Sequence, residues 1–556
     1  MESVVLSREE QIAALERPLD VLVIGGGITG AGVALDAATR GYRVGLVEQA
    51  DFASGTSSRS TKLIHGGIRY LARGQLKLVG EALRERARLL RLAPHLVRPQ
   101  PFLIPLYDGL TRPLGVHVPA FLQPAVPWGV RAVLWMYDRL ARMPAMHHRR
   151  LTAEEAASLV PALSTDGLRA AFLFHDARTD DVRLTLSVLA VARRFGAATA
   201  NYALARSFAY AQGRVAGARV EDGLTGRTVD VRARHVVNAT GVWAERAASM
   251  DGPPQFRIRP SKGVHLVLQG EVLPAESAVL IPQTDDGRLA FLVPWSGRVI
   301  LGTTDDSYDG QIDAPAATEA DVAFLLRQAN RVLRQAVEAA DVLGVYAGLR
   351  PLVEAGSRSS ADLPREHAVV ESPRGLVSIV GGKLTSYRKM AEDTVDVLAR
   401  RDGERRPCRT ATLPLADAEG LDAARKALAR EGLPRKVQQH LLAAYGAAAA
   451  DVLAIANGDA ALRAPLAEEL PVLAAEVVYA CRYEMALTLA DMMFLRTRLS
   501  ILCEDAGEAT AARVADLMSA GRGWDGAEKL RQRAAWEAVV DRERTALRSL
   551  QRATAP

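Results

Sequence analysis

Cysteine is scarce. Cys408, Cys481 and Cys503 stand far apart in 556 residues and form no CxxC pair. Their spacing excludes a cysteine-rich metal or iron–sulfur site and the paired redox cysteines of flavin disulfide reductases, and it fits a reducing compartment. No run of about 18 apolar residues occurs, so no transmembrane helix is expected. The N-terminal stretch MESVVLSREEQIAALERPLD has early acids and no apolar h-region, so no secretory signal is expected. Aromatic residues make up only 5% of the chain, although 49% is apolar and a large core is available. The net charge of +6 is small for this length, and no nucleic-acid module is recognisable, so nucleic-acid binding is not expected. There is no internal repeat. The length allows two or more domains.

Against these absences stands Val21 to Glu48, VLVIGGGITGAGVALDAATRGYRVGLVE. Val21-Leu22-Val23-Ile24 reads as a buried parallel strand. Gly25 to Gly30 then fits GxGxxG, a helix runs to Arg40, and Gly41 suits a helix C-cap. A second strand ends on Glu48, 18 residues beyond Gly30. Gly25 permits the tight turn, Gly27 lets backbone approach a pyrophosphate, and Gly30 lets helix and strand pack closely. The helix N-terminus at Ile28 and Thr29 offers N–H groups and partial positive charge to phosphates. Glu48 can accept hydrogen bonds from a ribose. The strand–turn–helix context makes dinucleotide binding the expected role.

Further along, residues 51–75 form a Ser/Thr/Gly-rich loop, and 76–92 an amphipathic helix with Leu76, Val79, Leu83, Ala87 and Leu90 on one face. Thr152 and Glu155 form a capping box for a short helix over 151–165. Ala170–Phe174 reads as a strand, Leu184–Phe195 as a helix, and His235–Asn238 as a strand ending in a small-residue turn. Residues 255–305 alternate in the β period and suggest an antiparallel sheet. Leu376–Val380 is a buried strand before Gly381-Gly382 and a helix to about Arg400. Residues 401–412 look like a linker, and the chain is almost wholly helical from about 417.

There is only one GxGxxG, so electron exchange between a flavin and NAD on two such folds is not expected. FAD fits the single fold better than NAD, because two other segments suit a flavin. In Ser57-Ser58-Arg59-Ser60-Thr61-Lys62-Leu63-Ile64-His65-Gly66-Gly67, hydroxyls and backbone donors can hold pyrophosphate and ribityl groups, and the double glycine lets backbone lie against a flat ring. In Gly381-Gly382-Lys383-Leu384-Thr385, a helix start aimed at the flavin N1/C2 carbonyl would stabilise the anion formed on reduction.

At these motifs the chain resembles the FAD-dependent sn-glycerol-3-phosphate dehydrogenases of the glycine/D-amino-acid oxidase group. The match is carried by VLVIGGGITGAGVALDAATRG, TSSRSTKLIHGGIRYL, NATGVWA (238–244), SKGVHLVL (261–268), LGTTD (301–305), GLRPL (348–352), GGKLTSYRKMAED (381–393) and LADMMFLRTRL (489–499). The resemblance implies an α/β plus α architecture. A Rossmann-like FAD-binding domain would occupy 15–410 (about 15–110, 165–245 and 340–400), interleaved with an antiparallel substrate region at about 245–340. A helical domain would fill 411–556. Further cofactor contacts are implied at Gln49, Thr56, Ala239, Thr240, Gly241 and Trp243. The implied reaction is oxidation of glycerol 3-phosphate to dihydroxyacetone phosphate, with electrons passed to a membrane quinone, by a homodimer.

A phosphate substrate needs fixed cations, and arginine supplies a planar fork. Arg69 beside Tyr70, Arg350 in GLRPL and Arg365 in LPREH are the candidates, Arg365 in a poorer match. His265 is the first choice as base for the C2 hydroxyl, and Lys383 and Arg350 as stabilisers of the oxyanion. Lys383 could be the base only if desolvation lowered its pKa. His65 reads as a flavin contact, and His147-His148 as a surface cluster. No metal site is expected.

Residues 59–98 carry ten Lys/Arg against two Glu, a net +8. With the Pro-interrupted apolar segment 113–136, containing Phe121, Trp128 and Trp135, this suits a cytoplasmic enzyme lying on an anionic inner membrane face. Other readings are a helix lining the active site, a soluble oxidase using oxygen, an amine oxidase of the same group, and a non-catalytic FAD protein.

Overall fold

The computed structural model describes residues 6–354 and 366–554. The Leu19–Ile24 strand lies at the centre of a parallel core, between Val44–Val47 and Thr228–Asn238. Ala198–Ala200 and Val377–Gly381 extend this core at either side. The central strands are buried on both faces, which is why they read as apolar runs. His367–Glu371 closes one edge antiparallel, and a ribbon of Ala203–Ala211 and Arg214–Asp222 pairs with the start of Thr228–Asn238. Helices Ile28–Thr39, Asp181–Arg194 and Tyr387–Arg401 cover the sheet through one shared apolar cluster.

A second sheet has ten strands among the described residues. Ile258–Leu268 pairs antiparallel with Val342–Val353 on one side and Arg298–Gly302 on the other. The sheet continues through Ala290–Trp295 and Ala278–Ile281, then Arg98–Tyr107, Leu168–Arg178 and Leu63–Ile64. It is therefore wider than the expected 245–340 region, and takes strands from segments assigned to the FAD domain. Sequence pattern marks a strand but not its partner, and these partners are dozens to hundreds of residues away.

The Leu76–Leu92 helix has the expected bounds, but its buried face differs. Leu76 is exposed, while Leu89, Glu85 and Arg86 are buried. The helix lies between layers, where charges are tolerated only in pairs. Arg86 meets Asp176 at 2.5 Å, and Arg388 meets Glu85 at 2.6 Å. The basic stretch is thus only partly a surface: Arg73, Lys77, Arg84 and Arg91 are exposed, while Lys62 and Arg86 are buried in ion pairs.

The helical C-terminal region begins at Ala418. Ala418–Arg430, Arg435–Tyr445 and Ala449–Gly458 share one core around Leu428, Leu441 and Val452. By length and composition Arg435–Gly458 could span a membrane, with mean hydropathy 1.4, contrary to the expectation from apolar runs. Its helix is broken at Gly446 (φ +59°), and Val437, Leu441, Tyr445 and Val452 are buried in the domain. Ala474–Tyr483, Glu508–Arg522 and Gly526–Thr554 pack back on the body, the last of them against Val342–Val353.

Candidate active site

The nucleotide end is built from backbone. Gly25 has φ +113°, and a Cβ there would lie 2.5 Å from the Ala239 carbonyl oxygen. A Cβ at Gly30 would lie 1.9 Å from the Gly25 carbonyl oxygen, so helix and turn touch only because both are glycine. At Gly27 it would meet Ser57 Oγ at 3.0 Å, and Ser57 Oγ accepts the Ile28 N–H at 2.9 Å. Glu48 is aimed by the N–H groups of Gly26 (2.6 Å) and Ala50 (2.9 Å). Burial pushes its carboxyl above the usual range, against these two donors.

One cavity of about 440 Å³ runs from this turn to the second sheet. Gly25, Gly27, Ile28, Thr29, Glu48 and Gln49 line it at the nucleotide end. Thr56, Ser57, Thr61, Leu63 and His65 contribute from the loop, Ala239, Thr240, Gly241 and Trp243 from the NATG turn, and Gly382, Leu384 and Thr385 from the far glycine turn. Gly382 takes φ +84°, a conformation that side chains rarely adopt, and a Cβ there would also press on the Met390 thioether. His265, Arg350, Lys383 and Tyr70 line the same cavity.

The remaining candidates lie elsewhere. Lys62 is turned away from the cavity: its Nζ donates to the Ser58 carbonyl (2.6 Å) and to both oxygens of Asp181 (2.8 and 2.7 Å). Thr61 faces the cavity, and the chain turns at Lys62 (φ +61°), which carries its side chain away. Burial lowers the Lys62 ammonium to about 8, with Asp181 opposing. Ser58 is buried, with its hydroxyl on the Gly55 carbonyl (3.1 Å). Gly66 and Gly67 sit behind the lining. The Gly66 N–H donates to Tyr137 Oη (3.0 Å) and Asp176 (3.2 Å), and Gly67 takes φ +81°. Gly30 packs beneath the turn. Arg69 is half-buried outside the lining, its guanidinium beside the Gly115 turn. Arg365 lies outside the described residues. His148 is paired with Asp138 at 2.6 Å rather than being a loose surface ring.

At the other end of the cavity, glycine again makes room, here for side chains. His265 is opposite Gly302, where a Cβ would strike the imidazole at 2.3 Å. On its other side it is opposite Tyr346 and stacked on that ring, with centroids 4.8 Å apart and planes 14° apart. Thr61 Oγ1 lies 2.8 Å from Nε2. Burial pushes the imidazole well below its usual 6.5, and Arg350 and Lys62 push the same way, so the ring is neutral. Arg350 lies flat over Gly263, where a Cβ would meet its guanidinium at 2.6 Å. It reaches Asp305 (3.2 Å), Thr303 Oγ1 (3.0 Å) and the Thr304 carbonyl (3.1 Å), and Asp305 accepts from Ser261 Oγ at 2.5 Å. Lys383 Nζ sits 3.9 Å from the centre of the Tyr70 ring.

Sequence reading passed over three participants. Arg59 lines the cavity, and Asp305 orients Arg350; both stood inside quoted motifs, TSSRSTKL and LGTTD. Tyr346 had no signal, because its partner is 81 positions away in sequence. Among the described residues Glu392, Asp393 and Asp396 lie close enough to share an ion, but Arg388, Lys389, His367 and Arg40 are paired with them.

The cradle fits FAD: a glycine turn with no room for side chains, an oriented carboxylate one strand away, and a long cavity ending on cations and an imidazole. Residues 20–388 match the FAD dependent oxidoreductase family, and 408–529 match the C-terminal domain of alpha-glycerophosphate oxidase. The chain is 38% identical over 553 residues to a glycerol-3-phosphate dehydrogenase of Mycobacterium leprae, covering 97% of this chain and 91% of the relative. It is 39% identical to the mitochondrial glycerol-3-phosphate dehydrogenase of Bos taurus, over 94% of this chain and 73% of the relative. The solved glycerol-3-phosphate dehydrogenase from Bacillus halodurans complexed with FAD superposes with a TM-score of 0.77 at 33% identity, covering 96% of this chain and 97% of that one. With the glycine turn and both domain matches in one chain, the protein belongs to the FAD-dependent glycerol-3-phosphate dehydrogenase family.

Proposed function

We propose that the protein oxidises the C2 hydroxyl of glycerol 3-phosphate to the ketone of dihydroxyacetone phosphate and delivers the electrons to a membrane quinone. The observation that carries this reading is a neutral, buried His265 sharing one cavity wall with Arg350 and Lys383, at the far end from Gly25 and Glu48. Bound FAD supplies the hydride acceptor, flavin N5. His265 takes the hydroxyl proton, and its stacking on Tyr346 and contact with Thr61 hold the ring plane. Arg350 and Lys383 stabilise the oxygen as negative charge grows on it. Tyr70 and the cavity-lining Arg59 are assigned to the phosphate, in place of Arg69, which stands outside the lining.

The membrane reading rests on the Val126–Ala141 helix and the turn before it. Val130, Leu134 and Tyr137 are buried, while Trp128 (64%), Trp135 (54%) and Phe121 (80%) are exposed. Arg131 lies over Trp128 and Arg139 over Trp135, cations beside interfacial rings. The four exposed cations of the basic stretch add about 1 kcal/mol each near an anionic leaflet. This surface supports our reading of a quinone in the bilayer, rather than dissolved oxygen, as acceptor, with the enzyme peripheral on the cytoplasmic face.

The test is anaerobic mixing of the FAD-loaded protein with glycerol 3-phosphate. The visible flavin band is expected to bleach, and to return on addition of anionic vesicles containing quinone. A band that persists sinks the reading. Return with air at the catalytic rate, but not with the vesicles, assigns the protein as an oxidase.

A further inference from the structure

The C-terminal region reaches the active-site loop at two buried points, directly through Glu543 and by way of Asp181 through Arg498. From the last helix, Glu543 Oε1 accepts from Arg59 NH1 at 2.8 Å, and the same nitrogen donates to the Ala347 carbonyl. From the LADMMFLRTRL segment, Arg498 NH2 donates to Asp181 Oδ1 at 2.7 Å and to Asp180 at 3.1 Å. Asp181 is fully buried, and on its other side it holds the loop: it accepts from the Ser60 N–H (3.1 Å), Ser60 Oγ (2.7 Å) and Lys62 Nζ (2.7 Å). Between Ser60 and Lys62 sits Thr61, in contact with His265. Tyr346, stacked on His265, also donates to the Ser60 carbonyl at 2.9 Å. Both groups that fix the imidazole therefore lean on one loop, and that loop is pinned by cations and a carboxylate whose final partner is in the C-terminal domain.

We propose that the C-terminal domain sets the catalytic geometry. Arg498 and Glu543 act as positioning residues: Arg498, through Asp181, holds Ser60 to Lys62 and, with Thr61, the His265 ring, and Glu543 holds Arg59, the cation assigned to the substrate phosphate. This rests on the reading of His265 as base. A lysine at 498 keeps the charge but loses the planar guanidinium, whose NH2 donates to both Asp180 and Asp181 while its NH1 donates to the Phe494 carbonyl. A displacement of the loop by a fraction of an ångström misplaces the proton acceptor without touching substrate or cofactor.

FAD-loaded Arg498→Lys, Thr61→Val, the double variant and Glu543→Gln are compared by anaerobic flavin reduction across pH, with FAD content and thermal unfolding measured alongside. In Arg498→Lys the limiting rate is expected to fall about tenfold at unchanged FAD content. Its acid limb moves to higher pH, because a loosened loop lets water reach the ring. The double variant is expected to lose no more than Thr61→Val alone, since both act through one contact. Glu543→Gln raises KM for glycerol 3-phosphate several-fold with little change in limiting rate. A loaded Arg498→Lys with native rate and pH limb, or effects that simply add, overturns the proposal. Should Arg498→Lys fail to fold or to load FAD, Glu543→Gln decides, and a native KM overturns it. His265→Asn at native rate removes the base reading alone and leaves the additivity result standing.

Discussion

The two ends of the cavity are made differently. The nucleotide end is mostly short-range: strand, turn, helix and second strand follow within residues 19–48, and the contacts are backbone atoms with one carboxylate and the Ser57 hydroxyl. The catalytic end is long-range: Thr61, His265, Arg350 and Lys383 arrive from four segments, and each side chain is held by another side chain. Binding a nucleotide needs shape and N–H groups, which backbone supplies locally. Moving a proton needs an imidazole of chosen protonation state, and that state is set by whatever tertiary packing places around it.

The contrast can be broken most severely at Gly30. In Gly30→Val, the side chain starts 1.9 Å from a backbone oxygen that cannot move aside. The expected product is protein without bound flavin, measured as the ratio of flavin to protein absorbance. Normal loading would show that the turn does not depend on bare backbone.

At the other end the loss should be kinetic. His265→Asn is expected to slow flavin reduction by roughly 10²- to 10⁴-fold, the usual range for a lost general base, with FAD content unchanged. In the wild-type enzyme the rate should hold as pH falls past 6.5 and drop only at lower pH, because the native imidazole binds its proton well below that value. An acid limb at or above pH 6.5 would mean that burial does not govern this ring.

The smallest effect concerns the seam between the domains. His95 is buried, with its ring against Gly446 of the helical domain, and burial lowers it to about 4. The unfolded chain takes up this proton first, so the stability tied to neutral His95 is complete above pH 6.5 and is lost as pH falls toward 4. The loss amounts to as much as about 3 kcal/mol. Urea midpoints at neutral and acid pH should converge in His95→Leu relative to wild type, and an unchanged pH slope would place the effect elsewhere.

Much of the fold was legible in advance, for reasons that differ by element. The GxGxxG turn, the Leu76–Leu92 helix and the Thr152 capping box obey rules that act over a few residues. The antiparallel strands of 255–305 were visible, but their union with Arg98–Tyr107 and Leu168–Arg178 was not, since pairing has no local mark. Charge was read least well. Lys62 and Arg86 looked like part of a basic face and are buried against Asp181 and Asp176. Arg69 looked like a wall of the pocket and stands outside the lining.

The sequence by itself determined that a dinucleotide lies on a glycine turn, that FAD is the dinucleotide, and that the chain resembles glycerol-3-phosphate dehydrogenases. Steric exclusion between neighbouring residues and the order of motifs are properties of the chain alone. Only the tertiary structure decided which charges face the cavity, that His265 is neutral, and that Arg498 reaches Asp181 across 317 positions. Ionisation and ion pairing depend on burial and distance in space, and neither is set until distant segments have packed.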